Sequence, residues 1–221
     1  MKFHWDRPRI AGTLKFCAKC WSPYHDTKDC TVFRAVSWPF VSFLMFLGVF
    51  TWGCSTMRYD HGVPNLVSVA PGVWRSGQPL EGAWSYLHGL GVRKVVKLNY
   101  DDETGYDEVA VAKAAGIEVI KIQIPPSENV VTVFEPVDPT KVEQAINIIR
   151  TGGGVLWHCT HGQDRTGLVG GVADVVVFRK TKSEAWHDMI AHGFHFELPN
   201  LMDFWLDFEL TGNHIKLVPK K

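Results

Sequence analysis

The chain is predicted to be an α/β protein, with a mostly parallel central sheet flanked by helices on both faces and preceded by one transmembrane helix. Three observations carry this expectation. After Tyr59, strand-like and helix-like segments alternate, the pattern of parallel strands joined by helical crossovers. Val155-Leu156-Trp157 is an unbroken apolar run with no polar face, as in a strand covered on both sides. Finally, residues 35–57 contain no Asp, Glu, Lys or Arg and are rich in Phe, Leu, Val and Trp. A bilayer core of about 30 Å needs roughly 20 such residues as a helix.

The N-terminal part, residues 1–34, is basic. Residues 1–58 carry eight Lys/Arg against three Asp/Glu, whereas residues 59–221 carry fifteen against twenty. The formal net charge is zero, so no global field points to nucleic acid. Three of the five cysteines fall in Cys17-Ala-Lys-Cys20-Trp-Ser-Pro-Tyr-His25-Asp-Thr-Lys-Asp-Cys30. The Cys-x2-Cys-x4-His-x4-Cys spacing places three thiolates and one imidazole within reach of a tetrahedral zinc. It resembles a zinc knuckle, although Trp21 and Tyr24 stand where knuckles carry glycine. The competing reading is a basic leader with reduced cysteines.

Residues 35–57 are read as the transmembrane helix, with Arg34 and Arg58 at its ends and Pro39 in its first turns. Lys15, Lys19, Lys28 and Arg34 precede it, so the positive-inside rule keeps the N-terminus cytoplasmic and sends the C-terminal domain across the membrane. Lipidation at Cys54, in Thr51-Trp52-Gly53-Cys54, is an alternative way of anchoring the same domain.

Residues 59–215 form the remaining domain. Segments 65–69 and 73–75 read as extended, split by Pro71-Gly72, and 80–90 as a helix closed by Gly89 and Gly91. Segment 92–98 is a β-branched strand, 106–115 a helix ending at Gly116, and 117–124 a strand ended by Pro125-Pro126. Asp138 before Pro139 reads as the cap of a helix over 139–150. The strand at 155–157 is followed by a turn and an apolar helix over 166–178, then helices over 183–192 and 198–210.

The chemistry concentrates in His158-Cys159-Thr160-His161-Gly162-Gln163-Asp164-Arg165-Thr166-Gly167, between a buried strand and a helix start. Backbone amides there point into one concavity and the helix dipole favours an anion. Arg165 adds a planar fork that can bind two phosphate oxygens. The same positive surroundings favour thiolate over thiol at Cys159, below the free value of about 8.5. A thiolate beneath a bound phosphate is an activated nucleophile. No metal or other cofactor is needed for such chemistry, because Arg165 and the amides neutralise the phosphate charge.

This stretch is the Cys-x5-Arg-Thr signature, and it resembles that of the cysteine-dependent protein tyrosine and dual-specificity phosphatases. Val73-Trp74-Arg75-Ser76-Gly77-Gln78-Pro79, Val95-Val96-Lys97-Leu98-Asn99 and Gly193-Phe194-His195 look like the compact bacterial, plant and fungal type, so the likeness spans about residues 62–210. The resemblance implies a tyrosine-phosphatase-like fold and phosphomonoester hydrolysis through a phosphocysteine intermediate. It implies that Cys159 is the nucleophile, that residues 158–165 bind substrate, that His158 orders the loop, and that Thr166 stabilises the departing cysteine. The implied substrate is a phosphoprotein, with a phosphoinositide, inositol phosphate or phospholipid headgroup as the alternative. An inactive phosphate-binding module is the reading from another class.

The general acid is left open. Glu128, in Ile124-Pro125-Pro126-Ser127-Glu128, occupies the family's acid-loop position, while Asp164 directly before Arg165 resembles the arrangement in phosphoinositide phosphatases such as the myotubularins. Asp138 is the nearest aspartate, with a cap-like place. The acidic cluster Asp101, Asp102 and Glu103 is expected to be a solvated loop. His187, His192 and His195 are expected to pack under the catalytic loop rather than hold zinc.

Overall fold

The computed structural model describes residues 59–125, 135–211 and 214–218. The described residues all lie in one compact unit. The cysteine-rich segment, the run 35–57 and Glu128 lie outside the described residues. Among the described residues no helix is long and apolar enough to cross a membrane.

The described chain begins with two short strands, β1 (Tyr59–Asp60) and β2 (Val63–Pro64), paired antiparallel. A five-stranded sheet follows, built from β3 (Val67–Ala70), β4 (Val73–Gly77), β5 (Lys94–Lys97), β6 (Glu118–Lys121) and β7 (Val155–Cys159), in the order β3-β4-β7-β5-β6. Only the β3–β4 hairpin is antiparallel; the β4–β7, β7–β5 and β5–β6 pairings are parallel. The sheet is therefore mixed, with its mostly parallel part where the crossovers required it. Helix α1 (Trp84–Gly89) follows a 3-10 turn at Glu81–Ala83, and α2 (Glu108–Ala114) joins β5 to β6. Helix α3 (Pro139–Thr151) leads into β7, and α4 (Asp164–Val176) leaves it.

Strand alternation divides the core between two faces. Val95 and Leu156 pack with Trp84 and Leu87 of α1, Ala112 of α2, and Val92 and Ile117. Helices α3 and α4 cover the other face of β7. All five residues of β7 are buried, which is why its sequence shows no alternation. As expected, the Asp138 carboxylate caps α3, accepting from the Thr140 amide at 2.8 Å with Pro139 in the first turn. Helix α5 (Lys182–Ala191) starts in a capping box between Thr181 and Glu184.

The last element differs from the reading of one helix over 198–210. Helix α6 (Pro199–Asp207) stops at an extended Phe208, and the chain forms a hairpin of β8 (Phe208–Thr211) and β9 (His214–Leu217). The aromatic stripe misled the periodicity. Phe204 and Trp205 belong to α6, but Phe208 reaches the same cluster from the strand and lies under Lys182 Nζ at 4.0 Å from its ring centre.

This topology places the site. The connections that leave β4 and β5 run through α1 and α2 on one face of the sheet, whereas α4 leaves β7 on the other. The carboxyl end of the central strand therefore opens into a crevice, where ligands bind in open α/β sheets. Cys159 is the last residue of β7.

Candidate active site

Four residues, 160–163, connect β7 to α4, and their backbone is clamped from behind. The Thr160 carbonyl accepts from the Gln78 amide at 3.0 Å, the His161 carbonyl from Asn65 Nδ2 at 2.8 Å, and the Gly162 carbonyl from an Arg75 terminal nitrogen at 3.1 Å. Within one planar peptide unit C=O and N–H point in opposite directions. Turning three successive carbonyls back toward β4 and its flanks therefore turns the amides of His161, Gly162 and Gln163 to the other side. That is the nest expected for an anion, continuous with the N-terminus of α4. Gly162 is required for it. Its φ is +78°, and a Cβ there would sit 2.4 Å from the Gly77 amide nitrogen, with no flexible side chain to yield.

Cys159 is buried at the base of this loop, and Arg165 in the first turn of α4 is buried with it. Thr166 is fully buried, and its hydroxyl donates to the Ser76 carbonyl at 3.3 Å, tying α4 to β4. Thr160 and Arg165 share a partner that the sequence reading had assigned to solvent. Glu103, in a 3-10 turn at Asp101–Glu103, accepts from both terminal nitrogens of Arg165 at 2.7 and 2.5 Å, and from the Thr160 hydroxyl. Burial opposes its negative charge, but the bonds from Arg165 and Thr160 outweigh this and hold the carboxyl down at about 2. The turn aims it: Glu103 also accepts from the Tyr100 amide at 2.9 Å, which curls the side chain inward while Asp101 faces Lys121. Glu103 thus fixes the plane of the Arg165 guanidinium through both of its terminal nitrogens.

His158, grouped with the substrate-binding residues and expected to order the loop, has a fully buried ring with Nε2 2.8 Å from Glu108 Oε1. Burial opposes the charge of Glu108, but His158 and Lys97 overcome it and hold the carboxyl at about 2. An ionised carboxylate can only accept, so the His158 Nε2 carries the hydrogen. Lys97 is 1% exposed and reaches Glu108 at 3.0 Å and the Thr104 hydroxyl at 2.7 Å. Gln78 donates to Glu108 and accepts from Asn99. This buried network lies behind the strand end that carries Cys159. The sequence reading missed Lys97, Glu108 and Gln78 as site residues. A lysine inside a β-branched strand was the available signal, since a buried ammonium requires a partner.

Asp164 is the first residue of α4. Its Oδ1 accepts from the His195 backbone amide at 3.0 Å and lies 2.9 Å from His195 Nδ1. The three histidines differ in where they lie. His187 and His192 bond to carbonyls one turn back in α5, and His195 is exposed beside Asp164. Gln163 and His161 are half-buried on the loop, with the Gln163 amide group against Gly193. Among the described residues no group of three or more His, Cys, Asp or Glu is arranged to hold a metal. Glu128 and the set Cys17, Cys20, His25 and Cys30 lie outside the described residues.

Comparison with known proteins adds three findings. A family model described as tyrosine phosphatase family matches residues 63–183, more than half of the chain. The dual specificity protein phosphatase TpbA of Pseudomonas aeruginosa is 28% identical over 130 residues, covering 59% of this chain. The match spans 55% of the length of that relative. Among solved structures, P. aeruginosa TpbA in complex with pTyr is similar at a TM-score of 0.53 and 24% identity, over 67% of this chain and 86% of that one. The core catalytic domain of the PP-IP phosphatase SIW14 from S. cerevisiae is similar at a TM-score of 0.50 and 18% identity, over 64% and 83%. At these identities the structural likeness is one of fold.

Proposed function

Because this chain belongs to the tyrosine phosphatase family, we propose that it hydrolyses phosphomonoesters through a phosphocysteine intermediate on Cys159, with phosphoprotein as substrate. The observation that carries the reading is the convergence on one point of Cys159, Arg165 and the amides of residues 161–163, whose carbonyls are all held from behind. In the first step the Cys159 thiolate attacks phosphorus, the bond to the leaving oxygen breaks, and a general acid protonates that oxygen. In the second, water attacks phosphorus, the S–P bond breaks, and inorganic phosphate leaves. Arg165, aligned by Glu103, binds the transferring group, and Thr166, tied to β4 from the first turn of α4, stabilises the departing cysteine. The pTyr complex of TpbA supports phosphotyrosine as the substrate.

Asp164 is the proposed acid. It adjoins Arg165, and His195 engages only Oδ1, leaving Oδ2 without a protein partner among the described residues. Asp164→Asn should lower the rate on an alkyl phosphate by about 10²-fold or more, while an aryl phosphate, with its better leaving group, loses less than about tenfold. If Glu128→Gln gives that contrast and Asp164→Asn does not, the acid is Glu128. The same purified chain, screened for phosphate release against phosphopeptides, phosphoinositides and inositol phosphates, tests the substrate class. Preference for an inositol phosphate would favour the alternative suggested by Asp164 and by the likeness to SIW14.

The setting is part of the same proposal. The uncharged run 35–57, with basic residues before it, supports a single-pass anchor with the catalytic domain outside the cytoplasm. Cys17, Cys20, His25 and Cys30 have the spacing for a structural zinc remote from the chemistry.

A further inference from the structure

We propose that Arg75 is a positioning residue for this reaction: a buried cation behind the catalytic loop that aims the Gly162–Gln163 peptide at the phosphate. The proposal rests on the phosphatase reading above.

Arg75 lies in β4, with only 5% of its surface exposed, and its guanidinium donates to the Gly162 carbonyl at 3.1 Å. By peptide planarity, this bond sets the direction of the Gln163 amide. Among the described residues, Arg75 makes no ion pair. The two carboxylates within electrostatic range, Asp174 of α4 and Asp188 of α5, are both taken by Lys180, at 3.0 and 2.5 Å. The guanidinium therefore retains a buried charge with no carboxylate bonded to it, which favours an anion held in the loop it supports. Burial draws Arg75 down to about 10, and Asp174 and Asp188 act the other way.

The surroundings are built to admit this cation. A Cβ on Gly170 of α4 would meet an Arg75 terminal nitrogen at 3.3 Å, so the glycine gives the guanidinium room. Beyond it lies a cavity of about 140 Å³, which Arg75 lines with Asp174, Lys180, Asp188 and His192. Those are the charged and titratable groups facing Arg75 from α4, α5 and the turn between them.

The test uses the full chain and two readouts, kcat on an aryl phosphate and the affinity of vanadate for the loop. Arg75→Met, which keeps the stem and removes the donor to Gly162, should lower kcat and weaken vanadate binding by about tenfold or more each. Arg75→Lys, which keeps the charge and one donor, should weaken both by less. A Met variant with the parent's vanadate affinity overturns the proposal, as does a Lys variant that falls as far as Met. Should Arg75→Met fail to melt cooperatively, Arg75→Lys decides alone: an unchanged vanadate affinity overturns the proposal and a weakened one supports it. Vanadate binding needs no turnover. A chain that releases no phosphate yet shows the predicted loss of vanadate affinity would therefore refute the phosphatase reading and leave the positioning by Arg75 standing.

Discussion

Cys159→Ser abolishes turnover of an aryl phosphate, with a loss on the order of 10⁴-fold or more, while inorganic phosphate or vanadate still binds within about threefold of the parent affinity. The two halves of this expectation have separate causes. The reaction requires a nucleophile that is ionised at neutral pH, and a serine hydroxyl is not. Binding depends on the amides of residues 161–163 and on Arg165. Their arrangement is set by Gln78, Asn65 and Arg75 behind the loop, which bond to its carbonyls and not to the cysteine side chain. Steady-state rates and isothermal titration measure the two halves. Loss of both together would mean that Cys159 holds the loop in shape rather than acting as the nucleophile.

Arg165→Lys is the second large effect, with kcat/KM falling by about 10²–10³-fold. A lysine keeps the charge but cannot hold two phosphate oxygens or, equally, both oxygens of Glu103. Glu103 bonds to two nitrogens of Arg165, at 2.7 and 2.5 Å, so the fork is already aligned before any ligand arrives. A lysine would lose that alignment as well as one of the two bonds to phosphate. Kinetics on the aryl substrate check this. A Lys variant within about tenfold of the parent would show that charge alone, without bidentate geometry, serves the reaction.

Much of the site was legible in the sequence because it is local. Strand, loop and helix start occupy residues 155–166 without interruption, and the residue types needed to hold a phosphate lie within that run. The strand–helix alternation likewise foretold the parallel pairings around β7. The supports were not legible, because they come from far along the chain. Glu103 reaches Arg165 across 62 positions, and an acidic triplet after a strand has the same composition whether it is solvated or folded inward. His158 was expected to order the loop, but its partner Glu108 lies 50 positions away and could not be named from the sequence. Arg75 was noticed only as one letter of a family-like stretch. Nothing in β4 itself reveals that its guanidinium crosses beneath the loop to Gly162. The C-terminal hairpin was hidden by Phe204, Trp205 and Phe208, whose spacing fits a helix although the last of them is in a strand.

These supports reorder the account of the site. Residues 158–165 are one face of a structure whose other face is polar and buried. It comprises the network of Lys97, Glu108, Gln78 and Asn99 on one side and Arg75 on the other. Each of these groups is fixed by charge or hydrogen bonding before substrate arrives, so binding requires little reorganisation of the loop.

The central claim is that the phosphoryl group passes through Cys159, and the direct measurement is acid quenching of the full chain during turnover of an aryl phosphate, followed by mass spectrometry of the Cys159 peptide. A phosphoryl adduct on that peptide, absent in Cys159→Ser and still formed in the presence of a chelator, is the predicted result. Steady release of phosphate by the parent chain with no adduct, or with activity surviving in Cys159→Ser, would contradict it.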